Sequence, residues 1–219
     1  MAGLSVTVLL HGFLLRSDHG NPAFCGVYLV EGPAGRVLYD CGHVGRRPAL
    51  RTALNGVEPD VVVLSHGHWD HVQNVDLFPD ARVLVHAAEL RYLAGPAKPG
   101  IPVWTRAILD TVQVAETGEG DEIMPGVTVL DLPGHTPGSI GLAVTTADGV
   151  AVLTGDAVAT ADSLRSGHCL GRPLDPELAD ASVARVAASA DVVYPGHDSP
   201  FRVAGGYLAG RTPITFRYG

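Results

Sequence analysis

The chain has few of the features that mark disulfide-stabilised or membrane proteins. Its 219 residues include only three cysteines, Cys25, Cys41 and Cys169, and none of them forms a C-x-x-C pair. An odd number of cysteines without such spacing favours a reducing compartment over a disulfide framework. No stretch approaches the roughly 20 apolar residues that span a bilayer, and the apolar N-terminus lacks the basic region of a signal peptide. We therefore expect a cytoplasmic protein that does not bind membranes.

Lysine is nearly absent, and the 23 acidic residues outnumber the 15 lysines and arginines. The chain has a single lysine, Lys98, and a formal net charge of −8. Such a surface has little general attraction for a phosphate backbone, so nucleic acid is not expected as a default partner and a small-molecule substrate is favoured. The 27 glycines and 16 prolines are typical of a loop-rich α/β protein rather than a helical bundle.

Short β-type segments alternate with amphipathic ones along the chain. Runs such as VVVLS and VAVLTG are rich in β-branched residues and are followed by turn residues. A helix is predicted over DPELADASVARVAASAD, with Asp175 as N-cap and Pro176 in the first turn. Three prolines within residues 95–107 predict a loop there. No linker or change in composition interrupts the pattern, so we expect a single domain over residues 1–219, with sheets covered by helices.

The stretch VVVLSHGHWDHVQN, residues 61–74, concentrates imidazole and carboxylate groups directly after an apolar strand. If the chain stays extended, His66, His68 and Asp70 project to one side, and His71 joins them where a helix begins. Buried polar groups cost free energy unless they are paired or bind a metal ion. Neutral imidazoles and a carboxylate suit a first-row divalent metal, chiefly zinc, with iron or manganese as alternatives.

Three further candidate ligands each follow another predicted strand. They are His135 in LPGHTPGS, Asp156 in VLTGDA and His197 in VVYPGHDS. Seven ligands are too many for one tetrahedral ion, so the number predicts two divalent ions per chain that share one carboxylate. Asp156 is the expected bridge, because a carboxylate offers two oxygens, whereas an imidazole bridges only after losing its proton.

The motifs SHGHWDH, PGHTPGS, TGD and YPGH, in this order, resemble those of the metallo-β-lactamase fold hydrolase superfamily. The resemblance implies a four-layer αββα sandwich of two mixed sheets flanked by helices, with the site at one edge. It also implies two metal sites. One is formed by His66, His68 and His135 and the other by Asp70, His71 and His197, with Asp156 as the bridging ligand. The segments DHVQNVDLFPDARVLV and DVVYPGHDSPFRV look most like the metallo-β-lactamase domain-containing protein 1 type.

Several positions bear on the subclass that the resemblance implies. The β-lactamases of this fold carry Cys or Ser where Asp156 stands, so the glyoxalase II, lactonase, thioesterase and nuclease branches are favoured. Asp40, in the sequence DCG, is expected to orient a ligand histidine from outside the ligand set. The adjacent Cys41 is expected to be a small buried hydrophobe, although its thiol, like that of Cys169, is also a candidate to reach the site.

Two residues are candidate substrate contacts. Trp69 lies inside the ligand loop and points away from the metals if its neighbours point in, so it either lines the mouth of the cleft or packs in the core. His168 lies in the loop LRSGHCLGR, between two predicted ligands.

The expected activity is the hydrolysis of a small ester, thioester or lactone by a metal-bound hydroxide. Asp70 is the candidate catalytic residue, because it lies beside the nucleophile and can orient water or pass a proton to the leaving group. The alternatives are hydrolysis of phosphodiesters, including RNA, and a mononuclear iron dioxygenase acting on persulfides. The full second ligand set weighs against the dioxygenase. The sequence leaves the oligomeric state open, with a homodimer among the options.

Overall fold

The computed structural model describes residues 3–15, 18, 20, 22–98, 100–210 and 213–215. Its strands are β1 (Ser5–Leu10), β2 (Phe13–Leu14), β3 (Ala23–Phe24), β4 (Val27–Gly32), β5 (Gly35–Tyr39), β6 (Val61–Val63), β7 (Arg82–His86), β8 (Gln113–Thr117), β9 (Glu122–Met124), β10 (Val127–Asp131), β11 (Ile140–Thr146), β12 (Gly149–Gly155), β13 (Val192–Pro195) and β14 (Phe201–Arg202). Its α-helices are α1 (Arg47–Leu54), α2 (Trp69–Val72), α3 (Ala87–Leu93), α4 (Trp104–Leu109), α5 (Ala161–Ser166) and α6 (Pro176–Ser189).

The first sheet has six strands in the order β1-β4-β5-β6-β7-β8. Its first three strands are antiparallel, whereas β5 to β8 run parallel. The short central strand β6 pairs with β5 on one side and with β7 on the other, so that Val62 lies between Leu38 and Val83. A strand held on both sides cannot slip by one residue without turning its side chains to the opposite face. The chain that leaves β6 therefore starts from a fixed position.

The second sheet has the order β14-β13-β12-β11-β10-β9. The pairs from β9 to β12 are antiparallel, and β12 runs parallel to β13, with Leu153 opposite Tyr194. Both sheets therefore contain parallel strands. Because parallel neighbours end at the same edge of a sheet, the loops that follow β12 and β13 lie side by side.

The side chains form three buried layers, which confirm the predicted αββα sandwich of two mixed sheets. One layer packs the first sheet against helices and includes Leu38, Leu50 and Val62. The second fills the space between the two sheets, and the third packs the second sheet against α6, with Val186 among its members. Apolar strands covered on both faces account for the runs of consecutive valines in the sequence.

The segment predicted as a loop over residues 95–107 is partly helical. Helix α4 begins at Trp104, two residues after the last of the three prolines, and the N–H of Thr105 donates to the carbonyl of Pro102 at 3.0 Å. Burial of Thr105 and Leu109 favours this helical turn, and local sequence does not reveal that burial. Among the described residues, no helix is both long enough and apolar enough to cross a membrane.

The core between the sheets should contribute strongly to stability. Leu142 on β11 is fully buried in this layer. We expect Leu142→Ala to lower the free energy of unfolding by about 2–5 kcal/mol, because it removes apolar contacts and leaves a cavity. Urea denaturation measures this, with the exposed Thr145→Ala on the same strand as the control, expected to change stability by less than about 0.5 kcal/mol. Equal losses in the two variants would contradict the assigned layer.

Candidate metal centre

The predicted ligands lie where strands end at one edge of the facing sheets. His66 and His68 follow β6, His135 follows β10, Asp156 follows β12 and His197 follows β13. All but His68 are buried, and His68 is partly exposed. A rigid strand therefore precedes each ligand loop.

Helix α2 supplies the remaining two predicted ligands. It begins at Trp69, immediately after His68, so the chain is extended only as far as His68 and the condition of an extended segment up to Asp70 is not met. Asp70 and His71 instead lie in this single helical turn, and both are buried. The turn still directs Asp70 inward, because its Oδ2 lies 3.6 Å from Nε2 of His197.

A first group of ligand atoms belongs to His66, His68, His135 and Asp156, whose donor atoms all lie within 4.8 Å of one another. Nδ1 of His68 lies 3.0 Å from Nε2 of His135, and that nitrogen lies 3.3 Å from Oδ2 of Asp156. Three imidazoles and a carboxylate at this spacing are a donor set suited to zinc. We name these four residues the first ligand group.

A second ligand group consists of Asp70, His71 and His197, whose donor atoms also lie within 4.8 Å of one another. Asp156 contacts this group as well, since its Oδ1 lies 3.1 Å from Nε2 of His197 and 3.3 Å from Nε2 of His71. The two oxygens of Asp156 thus face different groups. The structure brings all seven predicted ligands together, and one carboxylate lies between the two groups.

A glycine beside Asp156 permits this approach. A Cβ on Gly196 would overlap both Oδ1 of Asp156 and the carbonyl oxygen of Gly155. Any larger residue at this position would push the carboxylate away from His71 and His197. The glycine of the YPGH motif is therefore explained by the space that the central carboxylate needs.

Several donor atoms in the two groups have no hydrogen-bond partner within the described part of the chain, although they are buried. They include His66 Nε2, Asp70 Oδ2, His71 Nε2 and Asp156 Oδ1, and the Nδ1 atoms of His135 and His197 also have no partner there. Leaving a buried polar atom unpaired costs about 1–3 kcal/mol, and more for a charged group. Atoms of this kind that converge on one point fit divalent metal ions, which would satisfy all of them.

Asp40 and Ser65 set the orientation of two ligand histidines. Oδ2 of Asp40 accepts a hydrogen bond from Nδ1 of His71 at 2.7 Å and from the hydroxyl of Ser65 at 2.9 Å. The same hydroxyl lies 2.9 Å from Nδ1 of His66, and the N–H of Ser65 donates to Oδ1 of Asp40. With protons held at these two Nδ1 atoms, both Nε2 lone pairs face the ligand groups. The sequence pointed to Asp40 but not to Ser65.

The two groups differ in how strongly their histidines bind protons. Burial lowers the pKa of His68 to about 3 and also lowers the pKa values of His66 and His135. Burial also opposes the charge of the other two histidines, but nearby groups outweigh it. Cys25 and Asp40 raise the pKa of His71 well above its ordinary value, and Asp156 raises the pKa of His197.

A row of half-buried rings extends from the ligand loop. Trp69 lies edge-on to His43 with ring centres 5.0 Å apart, His43 lies edge-on to Phe24 at 4.9 Å, and Phe24 lies 5.0 Å from Phe13. Phe13 and Phe24 pair across the small β2–β3 sheet. Trp69 thus packs against other rings but remains partly exposed, which makes the row an apolar wall next to the ligands.

The loop after α5 packs against His135. Gly171 is so close that a Cβ there would lie 3.1 Å from the His135 ring. Among the described residues, no hydrogen bond or ion pair joins the His168 side chain to a ligand residue. Its exposed ring bonds to Asp180, with Nδ1 and Oδ2 2.7 Å apart, and Oδ1 of Asp180 accepts from the N–H of Cys169. This pairing holds the loop, and the predicted substrate contact by His168 stays a prediction.

The three cysteines are buried thiols, and none forms a disulfide. Cys41 packs in the layer between the first sheet and its helices, and burial raises its pKa well above the ordinary value. Sγ of Cys169 donates to the backbone carbonyl of Asp156 at 3.4 Å. Cys25, which the sequence did not single out, lies with Asp40 and His71 behind the second ligand group.

Known proteins with similar sequences identify the family of this chain. The model of the Metallo-beta-lactamase superfamily matches residues 20–197. The chain is 35% identical over 210 residues to metallo-beta-lactamase domain-containing protein 1 of Xenopus laevis, with 91% of this chain and 82% of the frog protein covered. The human protein of that name is 36% identical over 187 residues, which cover 80% of this chain but only 62% of the human protein.

Lactonases are also similar. An N-acyl homoserine lactonase of a Bacillus species is 32% identical over 152 residues, which cover 65% of this chain and 58% of the lactonase. A crystal structure of a Bacillus thuringiensis AiiA mutant with N-decanoyl-L-homoserine bound at the active site superposes with a TM-score of 0.73. It is 22% identical and covers 89% of this chain and 92% of that one, which shows the shared fold. The chain belongs to the metallo-beta-lactamase superfamily.

Proposed function

We propose that this chain is a dinuclear metal-dependent hydrolase that cleaves a small ester, thioester or lactone. The position of Asp156 is the observation that carries the proposal. Its two oxygens lie 3.1–3.3 Å from imidazole nitrogens of both ligand groups. A carboxylate in that position suits two cations that share one ligand.

The two ligand groups would each hold one ion. The first ion would be bound by His66, His68 and His135, and the second by Asp70, His71 and His197, with Asp156 between them. Imidazole-rich sets of this kind favour zinc, although iron and manganese bind to similar donors. When bound, such ions lower the pKa of water from about 15.7 to near 7 and polarise a carbonyl oxygen, so hydrolysis needs no serine or cysteine nucleophile.

The protein's own residues have three tasks in this reaction. Asp40 and Ser65 keep the Nε2 lone pairs of His71 and His66 directed inward. Asp70 has an unpaired oxygen in the buried site, and its carboxylate can orient water or carry a proton to the leaving group. The wall of aromatic rings next to Trp69 gives an apolar group a place to bind.

A small, partly apolar substrate follows from the surroundings of the site. The row from Phe13 to Trp69 favours an acyl or similar apolar group over a polyanion. The net charge of −8 disfavours a nucleic acid substrate in the same way. The similarity to lactonases from Bacillus supports an ester or lactone as the bond that is cleaved.

Removing the charge of Asp156 should strip the site of metal. Asn preserves the volume but cannot attract two cations or offer two anionic oxygens, so Asp156→Asn should retain at most one ion of the two. Loss of a residue that only supports a metal ligand typically costs about 10–100-fold in activity. Because Asp156 is itself a proposed ligand, the catalytic rate should fall by more than about 100-fold. Elemental analysis and ester hydrolysis measure these effects, with the exposed Asp148→Asn as control. A variant with two ions and full activity would disprove the bridge.

Acid should release the bound metal. The ligands bind metal when the histidines are neutral and the carboxylates are ionised, so protons compete with metal ions as the pH falls. Elemental analysis after dialysis at decreasing pH measures this release. Metal content that does not change when the pH falls well below the ordinary range of histidine pKa values would contradict a histidine-bound centre.

A substrate panel separates the proposed activity from its alternatives. We expect p-nitrophenyl esters, a thioester or a lactone to be hydrolysed at least about tenfold faster than bis-p-nitrophenyl phosphate and single-stranded RNA. A tenfold ratio corresponds to about 1.4 kcal/mol of preferential transition-state binding. Asp156→Asn protein purified in parallel controls for contaminants. Preferred cleavage of RNA would instead assign a phosphodiesterase, and a single bound iron with persulfide oxidation would assign a dioxygenase.

A further inference from the structure

Glu89 is a fully buried carboxylate that lies behind the first ligand group. It belongs to helix α3 and accepts three hydrogen bonds. Oε1 accepts from the backbone N–H of Gly67 at 2.8 Å, and Oε2 accepts from the hydroxyl of Thr136 at 2.7 Å and from the backbone N–H of Gly138 at 3.1 Å. Both oxygens of this side chain are therefore used as acceptors, and every partner is a donor.

These donors belong to the two loops that supply the histidines of the first ligand group. Gly67 lies between His66 and His68, while Thr136 directly follows His135 and Gly138 lies three residues after it. A single carboxylate thus fastens together two loops that are almost 70 residues apart in sequence, since Gly67 and Thr136 are separated by 69 positions. Displacement of either loop would break a hydrogen bond to Glu89.

The two ligand loops also pack closely against helix α3. A Cβ on Gly138 would overlap the backbone nitrogen of Glu89, and a Cβ on Gly67 would overlap Cδ2 of Leu93. Glu89 and Leu93 are four residues apart and so lie on the same face of α3. The two ligand loops therefore rest directly on one helix, and the carboxylate sets the distance between them.

The chemistry of the site requires a carboxylate at this position. Burial raises the pKa of Glu89, whereas the hydrogen bonds from Thr136, Gly67 and Gly138 oppose that rise. A glutamine would offer one acceptor oxygen and would point an NH₂ group at a donor. At least one buried N–H or O–H would then lose its partner, which typically costs about 1–3 kcal/mol.

The second ligand group is held by a different carboxylate. Asp40 accepts hydrogen bonds from His71 and Ser65. In the described part of the chain, the side chain of Glu89 has no hydrogen bond to His71 or to Ser65. Ser65 does reach Nδ1 of His66, so Asp40 also has an indirect link to the first group. Glu89 has no corresponding link to Asp70, His71 or His197 among its hydrogen bonds.

We propose that Glu89 is a positioning residue for the first metal site, which sets the separation of His66 and His68 from His135 and leaves the second site largely unaffected. This inference rests on the proposed dinuclear centre. It goes beyond it by assigning the two sites to separate supports, Glu89 for the first and Asp40 mainly for the second.

Zinc removal from the metal-loaded protein tests the proposal. A chromophoric chelator at increasing concentration should remove two zinc ions from the wild-type protein in two steps. In Glu89→Gln, one step should occur at about 10–100-fold weaker zinc affinity, the usual effect of losing a partner outside the ligand set. The other step should shift by less than about twofold. Asp40→Asn should weaken mainly the step that Glu89→Gln spares.

A spectroscopic measurement distinguishes positioning from loss of stability. With cobalt in place of zinc, Glu89→Gln should change the absorption bands of one bound ion and preserve those of the other. The matched control is Glu58→Gln, which removes an exposed carboxylate and should change neither the bands nor the affinities. Uniform weakening of both zinc steps, or two unchanged steps in folded Glu89→Gln protein, would overturn the inference.

Thr136 provides a second test that does not alter Glu89. Thr136→Val removes the hydroxyl that donates to Oε2, and we expect it to weaken the same zinc step as Glu89→Gln. Thr136→Ser preserves the hydroxyl and should restore wild-type affinity for that step. If Glu89→Gln does not fold, the comparison of Thr136→Val with Thr136→Ser tests the proposal instead. Equal zinc affinities of these two variants would refute it. Fewer than two zinc ions in wild-type protein would overturn the dinuclear function itself, whereas two ions with unaltered variants would refute only the role of Glu89.

Discussion

The contact between the Asp156 carboxylate and three imidazoles is the feature on which the whole site depends. Asp156 is buried at the end of β12, and its oxygens lie within 3.3 Å of nitrogens from His71, His135 and His197. A buried carboxylate is costly unless opposite charge compensates it. Burial alone would raise its pKa, but His197 and His71 hold the pKa well below its ordinary value. The protein therefore keeps a negative charge at the centre of a histidine cluster, which is a suitable place for cations.

The rest of the fold holds the groups around this charge in place. Parallel strands bring several ligand loops to one edge, and two further buried carboxylates secure the loops. Asp40 directs the imidazole of His71 through a hydrogen bond of 2.7 Å. Glu89 joins two loops through the hydroxyl of Thr136 and two backbone N–H groups. Both carboxylates act through other residues, which agrees with the general dependence of metal sites on groups outside the ligand set.

Membership in a superfamily restricts the chemistry more than it restricts the substrate. One fold supports many reactions, so specificity has to be argued from the residues around the site. Here the ligand loop continues into a row of half-buried rings from Trp69 through His43 to Phe24. The loop with Gly171 packs against His135. The proposed preference for a small substrate with an apolar portion rests on the row of rings.

Much of the site was predictable from sequence because ligand residues directly follow apolar strands. The motif around His66 and His68 indicated a metal site, and the resemblance that it carried correctly implied the sandwich fold and the superfamily. The condition of an extended chain as far as Asp70 was not met, since α2 begins one residue earlier at Trp69. Similarly, the prolines near Pro102 concealed the helix that follows them. Local patterns do not reveal which turn becomes buried, and burial decided both cases.

The sequence by itself determined which chemical groups were available and that rigid strands would precede them. Only the tertiary structure decided which imidazole nitrogens face inward, that Asp156 lies between two groups, and that Ser65 and Glu89 support them. These last two residues have no distinguishing local pattern. Their roles arise from hydrogen bonds to residues far away in sequence, such as the bond between Glu89 and Thr136. Such contacts exist only once the two sheets have packed, because the packing energy of the whole core is what holds these polar groups together.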